Sequence, residues 1–112
     1  MFYIYSDITI TSDFTSEEMV KAVAAALRVP KFALSDRYDG DEVFVTQCFG
    51  LEFELAQDDS PAKTFHLSIN SEAGEVDYDA SEKEYDGSSY ILFLLRQSGF
   101  DAERRSDVLL YS

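Results

Sequence analysis

With 112 residues, 46% hydrophobic and 14% aromatic, the chain has material for one domain core over residues 1–112 and no room for a second. Asp and Glu number 22 against 9 Lys and Arg; the resulting net charge of −13 argues against a protein that itself grips nucleic-acid phosphates or anionic lipid. The single cysteine excludes an internal disulfide and a thiolate zinc cage, and no apolar run approaches the roughly 20 residues of a membrane span.

The chain opens on MFYIYSDITI, where Phe2, Ile4, Ile8 and Ile10 share one parity and Tyr3, Asp7 and Thr9 the other, the alternation of a half-buried strand. No Lys or Arg precedes Lys21, so the positive region of a secretory signal is missing, and the expected compartment is the cytosol. A helix follows. Thr15 and Glu18 stand at capping-box spacing, Phe14 and Met19 hold the two positions of a hydrophobic staple, and Met19, Val23, Ala26 and Leu27 make an apolar stripe. Pro30, which cannot donate to the helical ladder, marks the stop.

Four strands are expected next. Phe32 and Leu34 mark one, and Val43 to Gln47 a second, entered through the Asp39-Gly40 turn signal. Leu51, Phe53 and Leu55 alternate with Glu52 and Glu54 in the third, and Phe65, Leu67 and Ile69 with Thr64, His66 and Ser68 in the fourth. Glu75 to Tyr78 reads as a further short strand. A second helix is predicted from near Ser88 to Ser98, capped by Asp86 or Ser88 and closed by Gly99 as a left-handed residue. Its centre, YILFLL, is apolar almost all round and calls for burial on more than one side. Val108 to Tyr111 reads as the last strand. The expected fold is α+β, in the order β-α-β-β-β-β-α-β, a mainly antiparallel sheet with both helices on one face.

Catalytic chemistry finds little to stand on. The only histidine, His66, lies on the polar parity of a strand with no local nucleophile or orienting group, and reads as a surface residue. Cys48, in TQCFG, has no neighbouring cation to stabilise a thiolate and reads as a buried structural cysteine. DRYDGDE, from Asp36 to Glu42, fails the calcium-loop register, because its third and fifth positions are Tyr38 and Gly40. Glu52 and Glu54 face solvent together, where acid–base work is not favoured. No cofactor, no metal and no catalytic residue is expected, and the chain reads as a non-enzyme.

What stands out is the run SEAGEVDYDASEKEYD, with seven acids from Glu72 to Asp86 and only Lys83 to offset them. Charges this close repel one another, which costs stability unless another demand keeps them. Tyrosines, rigid and amphipathic interface residues, are interleaved. The partner-binding residues expected are Asp77, Tyr78, Asp79, Glu82, Glu84, Tyr85 and Asp86, directed at a basic protein that itself contacts nucleic acid. Tyr85 has a competing use as a staple onto Tyr90.

DITITSDFTSEEMVKAVAAAL at the first strand and helix and SSYILFLLRQSGFDAE at the second helix, in a small acidic α+β chain, resemble bacterial immunity proteins of contact-dependent growth inhibition and related polymorphic toxin systems. The resemblance is one of overall style and carries no residue role across. It implies a stoichiometric inhibitor of a toxin domain, commonly a nuclease and often the C-terminal domain of a larger effector. A phage-type acidic nucleic-acid mimic and a regulatory or structural subunit stay open beside it, as does pairing of the apolar second helix with a second copy.

Overall fold

Two-residue alternation makes a strand with two unlike faces, and the first strand has them. A computed structural model describes residues 2–35, 42–57, 63–71 and 83–105, the side chains of 2–4 and 83–86 excepted. In it β1 (Phe2–Thr11) buries Ser6, Ile8 and Ile10 on one face and leaves Tyr5, Asp7 and Thr9 half-exposed on the other. Helix α1 (Ser16–Leu27) starts at the expected capping box: the Glu18 N–H donates to Thr15 Oγ1 at 3.2 Å, and the Thr15 N–H donates to Glu18 Oε1 at 3.0 Å. Met19, Val23 and Leu27 form its buried stripe. The helix ends before Pro30 is reached, because Arg28 turns left-handed at φ 58° and its N–H closes on the Ala24 carbonyl. Phe14 places its ring edge-on to Phe100, centroids 6.2 Å apart, so its aromatic contact is with the segment after the second helix.

β2 (Ala33–Leu34), β3 (Val43–Cys48), β4 (Leu51–Gln57) and β5 (Thr64–Ser71) then run as an antiparallel meander, and β5 pairs antiparallel with β1. The far edge of β1 is shared. β6 (Lys83–Asp86) lies parallel to its first half, Phe2 opposite Lys83 and Tyr5 opposite Asp86. Helix α2 (Ser88–Gln97) crosses over, and β7 (Asp101–Arg104) returns antiparallel to the second half, Ile8 opposite Arg104 and Thr11 opposite Asp101. The strand order is β2-β3-β4-β5-β1-β6, with β7 also on β1. The fold is α+β in the expected order, with β6 added to it. Of the described pairings only β1–β6 is parallel, and the chain between these two strands includes α1 and the β2–β5 meander, while α2 connects β6 to the antiparallel β7. The expected strands at Glu75–Tyr78 and Val108–Tyr111 and the Asp39-Gly40 turn lie outside the described residues; the described strand after α2 is the more polar Asp101–Arg104.

Both helices cover one face. Ile8 and Ile10, Phe53 and Leu55, and Phe65, Leu67 and Ile69 meet Met19 and Val23 of α1 and Leu92 and Leu95 of α2 in one core. Three expectations for α2 need correction. Its N-cap is Gly87 with no side-chain cap bond, so neither Asp86 nor Ser88 caps it. The shift moves the staple positions to Asp86 and Ile91, which removes the basis for pairing Tyr85 with Tyr90. Burial is one-sided: Leu92 and Leu95 are buried, whereas Tyr90 and Phe93 point outward and are more than half exposed. Gly99 does take the left-handed position, φ 93°. Arg96 ties the helix end to β7, its Nε and guanidinium Nη2 donating to the Ala102 carbonyl at 3.1 and 2.9 Å. No described helix is long and apolar enough to cross a membrane.

Ser88 leaves capping because its hydroxyl meets that of Ser6 at 2.9 Å, both residues 1% exposed. Ser88→Ala is therefore expected to cost about 1–3 kcal/mol, because the Ser6 hydroxyl stays buried without its partner. Adding Ser6→Ala should recover part of that loss, a coupling that a double-mutant cycle in urea reads directly.

Candidate functional site

The register that buries one sheet face defines the other. Across the strands, Gln47, Glu52, Asn70 and Tyr5 form one row, Val45, Glu54, Ser68 and Asp7 the next, and Val43, Ala56, His66, Thr9 and Glu103 a third. No described element packs over these rows. Apart from buried Val43, the described side chains here are half-buried or exposed. Asp7, Glu52, Glu54, Asp101 and Glu103 give the face its acidity, with His66 and Arg105 its basic groups. Glu52 and Glu54 sit two residues apart on one strand, about 7 Å, and Asp7 lies two strands from Glu54, about 10 Å. Among the described residues the face presents these carboxylates spaced apart along and across the strands.

His66 is better held than its local sequence indicates. Its Nε2 lies 3.0 Å from Asp7 Oδ1, the two side chains 29% and 18% exposed. Asp7 is 59 positions away in sequence, and only the β1–β5 register brings it within reach. A carboxylate–imidazole pair of this kind fixes the orientation of the ring. A nucleophile would have to come from a hydroxyl that donates to the other ring nitrogen; Ser68, on the same face, accepts from Asn70 Nδ2 at 3.4 Å. Among the described residues, no group of three or more His, Cys, Asp and Glu side chains is arranged to hold a metal ion. Cys48 is free and half-buried against the edge of the core, less enclosed than expected.

Of the expected partner-binding residues, Asp77, Tyr78, Asp79 and Glu82 lie outside the described residues. Glu84, Tyr85 and Asp86 belong to β6 and are in register with Tyr3, Ile4 and Tyr5 of β1. They therefore extend the sheet edge next to the acidic face, in a strand where a free surface loop would have been the simpler reading.

One residue escaped the sequence reading. β3 and β4 are joined by Phe49 and Gly50 alone, with Cys48 paired to Leu51. Both turn residues have positive φ, 52° and 74°, the pattern of a type I′ hairpin turn. Phe49 is 98% exposed. A two-residue gap ending in Gly between alternating strands was the available signal.

The helix side carries a groove bordered by three bases. The groove, of about 650 Å³ between α1 and the β2–β3 edge, has Val20, Ala24 and Phe44 in its lining and Lys21, Arg28 and Lys31 around it. Glu17 of α1 also lines this groove, so bases and an acid border it together. Lys63, at the entrance to β5, bonds Asp13 at 2.9 Å, and that carboxylate raises the lysine's pKa. No protein-family model matches the chain, and no curated protein or solved structure shows significant similarity to it.

Proposed function

We propose that the chain is a cytoplasmic immunity protein, a stoichiometric inhibitor that binds a basic toxin domain and covers its active site. The observation that supports this reading most is the sheet face with no described element over it, on which Asp7, Glu52, Glu54, Asp101 and Glu103 are displayed from a rigid scaffold. Carboxylates held at strand spacing are ordered before a partner arrives, so less side-chain entropy is lost on binding than with a flexible acidic tail. Opposed fields then speed encounter and exclude acidic competitors. The acidic stretch Glu72–Asp86 adds to the same charge.

The reading expects a large toxin protein to be encoded immediately upstream, and the test is binding of the purified chain to that protein's C-terminal domain, by titration calorimetry, together with protection of cells that express that domain. The reading requires a 1:1 complex and protection. Absence of a complex rejects it. Displacement of a DNA-binding protein from its DNA by this chain, with no complex formed by the upstream domain, would instead support a nucleic-acid mimic.

A further inference from the structure

We propose that Phe49, at the tip of the β3–β4 turn, is the aromatic anchor of the interface and inserts into an apolar pocket bordered by Lys and Arg on the basic partner. The proposal rests on the immunity reading and adds to it the place of the contact centre. Two independent features of this residue are unfavourable to the free chain. A left-handed backbone is disfavoured for any residue with a Cβ and unusual for a bulky one, and type I′ turns strongly prefer Asn or Gly at this position. Yet Phe49 has φ 52°. Its ring is 98% exposed, so it contributes almost nothing to the core. Asn would satisfy the turn and water together. The left-handed backbone and the exposed ring together are the features that a contact made outside the chain would use.

The surroundings specify that contact. Glu52 stands one position past the Cys48–Leu51 pair that closes the turn, in the row of the acidic face nearest its tip. Ser71 is paired with Leu51 next to the turn, and Lys83 is paired with Phe2 at the same end of the sheet. Between Ser71 and Lys83 the sequence has five acids, Glu72, Glu75, Asp77, Asp79 and Glu82, and no base. The ring is therefore at the end of the sheet from which the most acidic stretch leaves and to which it returns. An apolar probe next to Glu52 on a chain of net charge −13 fits an apolar pocket bordered by positive charge, as in the substrate cleft of an enzyme acting on phosphate esters, and a second copy of this chain is a poor match.

Three variants separate the possibilities, each measured for thermal midpoint, for affinity to the upstream-encoded domain and by sedimentation. Phe49→Asn should raise the midpoint by about 4 °C through relief of the turn and weaken binding by about 30-fold, mainly through faster dissociation. Phe49→Trp should bind within threefold of the parent. Arg28→Gly relieves the other left-handed residue, at the end of α1, and should raise the midpoint without changing affinity. If the parent binds the domain and Phe49→Asn binds equally well, the anchor is wrong and the immunity reading survives. If the parent does not bind at all, both fall. An unchanged or lower midpoint for Phe49→Asn would remove the strain from the case and overturn the proposal, as would a parent dimer that this variant dissociates.

Discussion

Leu67→Ala is expected to lower stability by about 2–5 kcal/mol, the range for removing a buried Leu side chain and leaving part of its volume empty. Leu67 is 0% exposed and lies between Ile8 of β1 and Leu55 of β4 in the register, on the face that both helices cover. The loss can exceed half of the marginal stability of a domain whose total is about 5–15 kcal/mol. The thermal midpoint should fall by at least about 8 °C. Leu34→Ala is the contrast: the same atoms are removed from a residue 61% exposed on the two-residue edge strand, and the midpoint should move by no more than about 3 °C. Equal shifts for the two would mean that the helices do not close over β5.

Sequence and structure agree most closely where a local rule has one outcome. The Thr15–Glu18 box starts α1 because two backbone N–H groups need partners and these side chains supply them at fixed spacing. The apolar parity of β4 and β5 becomes the core face because a strand has only two faces. What was not legible depends on distant partners. β6 pairs in parallel, so no hairpin turn announces it, and its acidic sequence resembles a solvated loop. β7 shows one buried residue, Ala102, among charges, too weak an alternation to stand out beside the apolar Val108–Tyr111. The cap of α2 was misplaced because Ser88 spends its hydroxyl on Ser6, a contact 82 residues apart. The Asp7–His66 pair needed the β1–β5 register in the same way. For a binding surface, the sequence points to the acidic and aromatic stretch Asp77–Asp86 and shows Glu52 and Glu54 facing solvent; the Phe49 tip needed the turn geometry.

Reversing Glu52 and Glu54 together, Glu52→Lys with Glu54→Lys, should slow association with the upstream-encoded domain by at least 10-fold at low salt, within the range that electrostatic steering covers. Each reversal adds two charges, so the net charge goes from −13 to −9. A control must change net charge equally from elsewhere. Glu17→Lys with Glu42→Lys also reaches −9, through exposed positions on α1 and before β3 that lie off the acidic face. If local complementarity governs encounter, the sheet pair slows association far more than the control. The gap should then close as the screening length shrinks to about 3 Å near 1 M salt. Dissociation should change less than association for groups at the rim of the contact and more for a group at its centre. Glu52 is nearer the Phe49 turn than Glu54, so Glu52→Gln should affect dissociation more than Glu54→Gln. Far-UV circular dichroism of each variant checks that the sheet is intact. Equal slowing by both charge-reversed pairs would mean that the partner senses total charge and docks elsewhere. No slowing by either would remove the acidic sheet face from the interface.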